Sequence, residues 1–247
     1  MRAFAVLGLH KGFKTMFEIN PNAKISFSRV GLEEHPLLVI DDLFQIPEKL
    51  VEFAKNAKWK APKSGLYPGI IAEPPQQYLH EIAVNLKREM CAAFNFPSEL
   101  GLSATGFFAL TTHSLDDFDP WQRIPHFDQT DEDSIAMVHY LNTNQTGGTG
   151  FFRHTPSGFE SVSENRHKEY VDDIEKWFAE GHDQLVEYAG PKTPNFEMIH
   201  IVPFKFNRAL IYPSYVLHCA LYDGTHVDAN PETGRLTLNS FWMPKYK

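Results

Sequence analysis

The pattern of apolar and polar positions changes about a third of the way along the chain, from mixed strand and helix to a succession of short strands. Residues 36–44, PLLVIDDLF, predict a short buried strand, and a helical pattern then runs from Ile46 to about Trp59. From Pro75 to about Phe94, apolar residues recur three and four positions apart, which predicts a second helix with one apolar face. Residues 36–100 are therefore expected to form one strand and its supporting helices.

Short apolar and aromatic runs separated by turn residues follow Leu102, and their lengths are typical of β-strands. They occupy residues 102–113, 121–130, 133–142, 149–154, 196–204, 207–214 and 235–244. Many short strands favour a sandwich or barrel, so the expected fold class is α+β, mainly β, in a single domain over residues 1–247. Residues 101–155 and 196–243 would form its core, and the charged, helical stretch 156–195 would be an insertion.

Composition and charge disfavour several classes of protein. The formal net charge of -8 and the lack of a Lys/Arg-rich run argue against nucleic acid as a partner. Two cysteines, Cys91 and Cys219, indicate neither a disulfide framework nor a cysteine zinc site. No apolar stretch is long enough to span a bilayer, and the start of the chain lacks the pattern of a cleaved signal, so we expect a cytoplasmic protein. Aromatic residues make up 13% of the chain, which favours a sheet-rich core or an apolar cleft.

The short stretch IPHFDQT raises the question of a metal site. Along a strand, residues i and i+2 project from the same face, so His126 and Asp128 would point into one cavity while Phe127 packs on the other side. An imidazole and a carboxylate placed in this way can hold two neighbouring positions around a divalent iron. Two polar residues on one face of an ordinary strand would have the same spacing, so this stretch alone leaves both interpretations open.

A third ligand has to come from another strand, and His218 is the candidate. It follows a predicted strand and turn, in the apolar segment NRALIYPSYVLHCALY. Two histidines and one carboxylate that leave other positions open are the ligand set of non-haem Fe(II) oxygenases. Arg235 begins the strand RLTLNSF seventeen residues after His218 and would supply a cation to the same region.

These segments together resemble the Fe(II)/2-oxoglutarate-dependent dioxygenases, especially their prolyl-hydroxylase-like branch. The matching pieces occur in the family's order and cover most of residues 36–242 outside the insertion: PLLVIDDLFQIPEKLVEFA, PHFD, HYLN, GGTGFF, NRALIYPSYVLH and RLT. The resemblance implies a double-stranded β-helix core, that is, a cupin-like jelly roll. It also implies a hydroxylase that uses Fe(II), 2-oxoglutarate and O2, with ascorbate as an optional supporting reductant.

The resemblance assigns a role to each matched residue. His126, Asp128 and His218 would be the metal ligands at the catalytic centre. Arg235 would hold the far carboxylate of 2-oxoglutarate in a bidentate fork. Thr237, two residues on and on the same strand face, and Tyr140, in HYLN, would support that carboxylate.

The same resemblance bears on the reaction and the substrate. Related halogenases replace the carboxylate ligand by a small residue, so the presence of Asp128 favours hydroxylation. The substrate would be an amino acid, a peptidyl side chain or a small metabolite. The oligomeric state is left open, with a homodimer among the options.

Two departures from a compact member of that family are apparent. The interval from His218 to Arg235 is longer than usual, so another cation could bind the 2-oxoglutarate carboxylate in place of Arg235. The insertion, from Thr155 to Asn195, could cover the mouth of the cavity as a lid. Two alternatives remain: a cupin-like metal-binding protein or isomerase that never uses 2-oxoglutarate, and a protein that keeps the fold only for interaction.

Several other residues have plainer interpretations. His139 precedes Tyr140 and would therefore point outward or into a second layer, and His154 is expected to be a hydrogen-bonded structural residue. Arg153 could bind an acidic group of a substrate or form a surface ion pair. Gly147-Gly148 lacks the Lys-Ser/Thr of a phosphate loop and predicts a turn into a strand. Cys219 is expected to be a small core residue, and the remaining notable histidines are expected to be surface or satisfied core residues: His113, His200 and His226.

Overall fold

Two antiparallel β-sheets and four α-helices make up the part of the chain that the computed structural model describes, residues 16–63, 67–142, 147–185, 187–222 and 228–246. The architecture is therefore mainly antiparallel β, as the succession of short apolar runs predicted. The start of the chain and His226 lie outside the described residues. No helix in the described ranges is both long enough and apolar enough to cross a membrane.

The larger sheet has seven strands in the order β1-β2-β8-β5-β10-β4-β3, and every neighbouring pair is antiparallel. Strands distant in sequence are neighbours here, so the order of the sheet is set by long-range pairing. The strands are β1 (Lys24–Val30), β2 (His35–Asp41), β3 (Gly69–Ala72), β4 (Leu102–Thr111), β5 (Ile135–Tyr140), β8 (Ala209–Pro213) and β10 (Leu236–Pro244).

The smaller sheet has three strands in the order β7-β6-β9, also antiparallel. They are β6 (Gly148–His154), β7 (Phe196–Pro203) and β9 (His218–Leu221). The predicted turn Gly147-Gly148 does lead into β6. A β-carbon on Gly147 would lie 1.9 Å from the carbonyl oxygen of Leu221, so this close approach requires glycine.

Three helices cover one face of the larger sheet and form what we call the helix-side core. They are α1 (Glu48–Lys55), α2 (Gln76–Asn85) and α3 (Lys87–Phe94). Alternate residues of the central strands point towards them, as the two-residue period of a strand requires. The buried residues of this core include Leu38, Ile40, Leu50, Tyr78, Ile82, Met90, Phe108, Leu110, Leu238 and Trp242.

The boundaries of these helices differ from the sequence prediction in two places. The helix predicted to run to Trp59 ends at Lys55, and the indole N–H of Trp59 donates to the Ala54 carbonyl 2.9 Å away. The single helix predicted from Pro75 to Phe94 is two helices that meet at Leu86. Asn85, the last residue of α2, donates from its side-chain amide to the Glu81 carbonyl, and such local side-chain bonds disfavour a continuous helix.

The opposite face of the larger sheet packs against the smaller sheet and forms the inter-sheet core. Its buried residues are Val30, Leu37, Ala136, Tyr140, Phe151, Val202, Leu210, Tyr212 and Val216. Because β10 alternates, Leu236 and Leu238 belong to the helix-side core whereas Thr237 is on the inter-sheet face, opposite Tyr140 of β5. This face therefore carries two of the side chains that the resemblance assigned to chemistry, Thr237 and Tyr140.

The insertion predicted over residues 156–195 contains α4 (Glu164–Trp177), which continues as a short π-helical turn to His182. It packs on the smaller sheet through the insertion core, whose buried residues are Ile124, Phe152, Val162, Tyr170, Ile174, Trp177, Ala189, Phe196, Leu217 and Cys219. The insertion thus shares strands β6 and β9 with the rest of the molecule. The assignment of all 247 residues to one domain stays a prediction.

Candidate metal centre

His126 and Asp128 lie on an extended segment that joins the edge of the smaller sheet. The backbone N–H of His126 donates to the carbonyl of His218, and the N–H of His218 donates back to the carbonyl of His126, both at 2.8 Å. The N–H of Asp128 donates to the carbonyl of Ser214, also at 2.8 Å. The strand predicted over residues 121–130 is reduced to the single β-bridge between His126 and His218. The first part of the predicted strand is instead a 3-10 helix, Pro120–Arg123.

The extended backbone gives the alternation that the sequence predicted. Phe127 packs edge-on against His167 and Tyr170 of α4, with ring centroids 5.8 and 5.9 Å away. His126 and Asp128 line a cavity together with His218. The i and i+2 spacing therefore does place the imidazole and the carboxylate together, while the aromatic ring between them anchors the segment to the insertion.

The three candidate ligands meet in space. One Asp128 carboxylate oxygen is 3.8 Å from Nε2 of His126 and the other is 3.5 Å from Nε2 of His218, and all three ligand atoms lie within 4.8 Å of one another. Two donors about 2.1 Å from one ion and at right angles to each other would be ~3.0 Å apart. Small side-chain rotations would bring this set to a metal ion, so the residues fit a divalent cation bound by two imidazoles and one carboxylate.

The tautomer of His218 is fixed by a backbone contact. Its Nδ1 lies 2.9 Å from the carbonyl of Val216, which can only accept, so Nδ1 carries the proton. The lone pair of the neutral ring is then on Nε2, the atom that faces Asp128. Tyr212 packs against the same ring at 4.7 Å and keeps it in place.

The electrostatics of the cavity keep both histidines neutral near pH 7. Burial lowers the pKa of His126 to about 4, with a further contribution from His218, although 48% of the His126 side chain is exposed. Burial also lowers the pKa of His218 to about 4 and raises the pKa of Asp128 to about 6. At neutral pH the set is therefore two neutral imidazoles and an ionised carboxylate, the forms that bind metal.

Arg235 lines the same cavity and is 8% exposed. The charge of Arg235 acts on the cavity wall beside the triad. Burial raises the pKa of the Cys219 thiol, next to His218, and the positive charge of Arg235 opposes that rise. Within the described ranges no carboxylate lies within ion-pair distance of this guanidinium. A buried cation without an anionic partner is costly, so this position suits the binding of an anion.

Thr237 and Tyr140 lie beside this cation on neighbouring strands. They are directly opposite each other in the pairing of β10 with β5, which puts both side chains on the inter-sheet face. The Thr237 hydroxyl is buried and has no hydrogen-bond partner among the described residues. The Tyr140 hydroxyl is instead 2.6 Å from that of Thr149, which lines the cavity. Thr237 is therefore free to donate to a bound anion, and Tyr140 would act partly through Thr149.

Of the other candidates in the described residues, Cys219 lines the same cavity and the rest do not. His139 is completely buried in the second layer, where its ring stacks on Phe44 and Tyr78. His154 is hydrogen-bonded to Ser157 at 2.8 Å, and Cys219 is a buried thiol whose pKa is raised by burial.

Arg153 binds the carboxylates of Glu160 and Glu197, so it forms an ion pair within the protein. Two further histidines that the sequence singled out lie in the described ranges: His200 is on the exposed surface of β7, and His113 has a buried Nδ1 without a partner among the described residues.

The cavity has a volume of about 570 Å³, within the range of ligand sites, and much of its wall is aromatic. Besides Phe127 and Tyr212, its aromatic lining residues come from six separate segments and were not assigned by the sequence: Tyr67, Phe107, Phe118, Trp121, Tyr188, Tyr222 and Phe241. The only signal for them was the aromatic content, which favoured an apolar cleft or a sheet-rich core without locating either.

Comparison with known proteins places the chain in a family. HygX from Streptomyces hygroscopicus, with nickel and 2-oxoglutarate bound, is similar with a TM-score of 0.49 and 14% identity over 85% of this chain and 83% of that chain. AviO1 from Streptomyces viridochromogenes Tue57 is similar with a TM-score of 0.42 and 9% identity over 90% of this chain and 89% of that chain. No curated protein matches the sequence significantly. The family of unknown function DUF6445 matches residues 21–242, and this chain belongs to that family.

Proposed function

We propose that this protein is a non-haem Fe(II)- and 2-oxoglutarate-dependent oxygenase that hydroxylates an amino acid, a peptidyl side chain or a small metabolite. Its core would be a double-stranded β-helix, with the site between the two sheets. The observation that carries the proposal is the presence in one cavity of the His126, Asp128 and His218 triad and the buried guanidinium of Arg235, which has no carboxylate partner among the described residues.

Each part of this arrangement has a matching part in the cofactor and co-substrate. The triad offers one face of donors and leaves the remaining positions of a metal ion open to the cavity. Arg235 offers a planar fork that can bind a carboxylate with two hydrogen bonds, and the unpartnered hydroxyl of Thr237 adds a third donor. A molecule with one chelating end and one free carboxylate would satisfy both ends, and 2-oxoglutarate is such a molecule.

The chemistry supplied by Fe(II) and 2-oxoglutarate when bound is O2 activation coupled to decarboxylation, with one oxygen atom inserted into a C–H bond. The protein's part is to hold and orient. The Val216 carbonyl fixes the His218 tautomer, and the Ser214 carbonyl holds the backbone at Asp128. Asp128 would supply the carboxylate ligand that related halogenases replace by a small residue, which favours hydroxylation over halogenation.

The test is an anaerobic titration of the full chain with Fe(II) and then 2-oxoglutarate, followed by the weak visible charge-transfer band of the chelated complex. The wild type should develop the band, and His126→Ala and Asp128→Ala should lose it. His80→Ala, an exposed histidine on α2, is the matched control and should behave like the wild type. If both triad variants develop the band with unchanged affinity, the metal assignment is wrong.

Arg235 separates this function from that of a cupin-like metal protein that does not use 2-oxoglutarate. Arg235→Gln keeps a polar side chain but loses the charge and the fork. It should weaken 2-oxoglutarate binding by roughly 10–100-fold while Fe(II) binding is unchanged, since hydrogen bonds to a charged group contribute about 1.5–3 kcal/mol. Succinate release that does not exceed a control without protein, together with 2-oxoglutarate binding unaffected by Arg235→Gln, would favour the cupin-like alternative.

A further inference from the structure

Aromatic side chains from separate segments converge on the cavity beyond the metal ligands. On the larger sheet, Phe107 of β4 lies 6.4 Å from Tyr67 and 6.3 Å from Phe241 of β10, measured between ring centroids. All three rings line the cavity and are only partly buried. This first group presents apolar ring surface to whatever occupies the space next to the metal.

A second aromatic group lines the same cavity from the connecting segments. Tyr188, at the end of the insertion, lies 5.3 Å from Phe118 and 4.6 Å from Tyr222 between ring centroids, both in edge-on contact. Edge-on packing fixes these rings relative to one another. The cavity therefore has preformed aromatic surface from both the sheet and the connecting segments.

The charges in the cavity are all accounted for by the proposed metal and co-substrate. Apart from His126, Asp128, His218 and Arg235, the described lining contains no acidic, basic or histidine side chain. A substrate carboxylate or ammonium group placed here would lose its hydration without gaining a partner, which is strongly unfavourable. A neutral substrate avoids that cost.

Asn239 supplies the polar contact for such a substrate. Its Oδ1 is buried and has no hydrogen-bond partner in the part of the chain that the structure describes, and the residue lines the cavity. In the sheet it stands directly opposite Phe107 of β4 and Val138 of β5, and so beside the first aromatic group. It is four residues beyond Arg235 along the strand, about 13 Å at the usual rise, so the two side chains would not share one carboxylate.

We propose that this cavity selects a neutral substrate with a flat aromatic group, which packs against Phe107 and Tyr188 while a polar group of the substrate hydrogen-bonds to Asn239. This inference rests on the proposed function for the identity of the site, and it excludes free zwitterionic amino acids from the substrate classes given above.

Direct binding tests this preference without turnover. Three probes are titrated into the full chain by calorimetry: N-acetyl-L-tryptophanamide, which is neutral and aromatic, N-acetyl-L-tryptophan, which differs by a carboxylate, and N-acetyl-L-leucinamide, which is neutral and aliphatic. The amide of tryptophan should bind at least tenfold more tightly than either of the others. Equal affinity for all three probes, or binding of none, would overturn the proposal.

Variants locate the binding in the cavity. Tyr188→Ala and Asn239→Ala, which removes the amide acceptor, should each weaken the binding of N-acetyl-L-tryptophanamide at least fivefold. The matched controls are Tyr246→Ala, whose side chain is exposed outside the cavity, and Asn22→Ala, which removes the same amide group on the surface. Both controls should bind as the wild type does, and urea unfolding verifies that each variant is folded. If the cavity variants also bind as the wild type does, the probe site lies elsewhere and the proposal is wrong.

The results distinguish a failure of this inference from a failure of the proposed function. The charge-transfer band with Fe(II) and 2-oxoglutarate is recorded on the same samples without any probe. A normal band with no aromatic preference overturns only this inference. Selective probe binding by a protein that forms no band overturns the oxygenase assignment and leaves the cavity's preference standing.

Discussion

At the scale of single residues, Arg235 differs from Arg153 and Arg166 in the way its charge is balanced. Arg153 binds Glu160 and Glu197, whereas Arg166 binds Glu33. Those guanidinium groups have structural partners supplied by the chain. Arg235 is buried, with 8% of its surface exposed, and has no carboxylate partner in the described residues. Its charge is therefore available to a ligand.

The buried His139 should make the free energy of unfolding depend on pH. Burial lowers its pKa to about 4 from the ordinary value of 6.5, against the opposing effect of its hydrogen bond to Asn207. Between these two pH values the unfolded chain binds a proton that the native protein does not, so the free energy of unfolding falls as the pH decreases. The contribution of this residue should be ~3 kcal/mol over that interval.

The matching variant is His139→Phe, which keeps a ring between Phe44 and Tyr78 and has no titrating group. Asn207 Oδ1 would still accept from the Phe44 N–H. Urea unfolding at pH 7, 6, 5 and 4 should give a shallower loss of stability for this variant than for the wild type. Parallel curves for the two proteins would contradict the buried, neutral state of His139.

At the scale of elements, the turn between β1 and β2 is tied to the segment that leads into the insertion. Glu160 is completely buried and accepts from the backbone N–H groups of Leu32 and Glu33 at 3.0 and 2.9 Å. Arg153 of β6 binds the same carboxylate. The turn thus contacts the smaller sheet through one acidic side chain, and this contact connects both sheets at the base of the insertion.

Gly31 is the residue on which this contact depends. Its φ is +73°, and a β-carbon there would lie 1.9 Å from a carboxylate oxygen of Glu160. Gly31→Ala should therefore lower the free energy of unfolding by about 3 kcal/mol or more, from backbone strain plus displacement of a buried ion pair. Urea denaturation at pH 7 measures the change.

Gly158 offers a matched control for that substitution. Its φ is +76°, and no atom lies within 4 Å of the position that a β-carbon would take. Gly158→Ala should cost only ~1–2 kcal/mol, the strain of a left-handed conformation by itself. Equal losses for the two alanine variants would mean that the Glu160 contact adds nothing to the stability of the turn.

At the scale of the whole molecule, the three cores share strands and should unfold together. Neighbouring residues of β6, Phe151 and Phe152, belong to the inter-sheet core and the insertion core. Neighbouring residues of β8, Leu210 and Ile211, belong to the inter-sheet core and the helix-side core. No core can lose its strands without exposing part of another, so a single cooperative transition is expected.

The positions of the tryptophans allow the cooperativity of unfolding to be measured. Trp59 and Trp242 report on the helix-side core, and Trp121 and Trp177 report on the insertion core. In one double variant Trp59 and Trp242 are replaced by Phe, and in the other Trp121 and Trp177 are. For each variant, the urea midpoint measured by fluorescence should coincide with the midpoint measured by far-UV circular dichroism. An earlier fluorescence transition for the protein that retains Trp121 and Trp177 would mean that the insertion unfolds separately.

Much of the fold was accessible from local patterns. Short apolar and aromatic runs bounded by turn residues located most of the strands, because this signal lies within a few residues of the chain. The helix predicted from Pro75 to Phe94 was wrong in its continuity, since the break at Leu86 follows from a side-chain bond of Asn85 that apolar spacing does not encode. The strand expected over residues 121–130 is a single bridge, because only His126 meets a partner strand.

The sequence by itself determined the chemical types available at the candidate site and their spacing within each segment: His126 and Asp128 two apart, and Arg235 and Thr237 two apart. Only the tertiary structure decided that His218, about ninety residues away, lies beside the first pair, and that no carboxylate of the described residues pairs with Arg235. It alone decided which aromatic rings surround the cavity. The physical reason is that periodicity constrains neighbours along one strand, whereas proximity and pairing between distant strands depend on how the sheets assemble and pack.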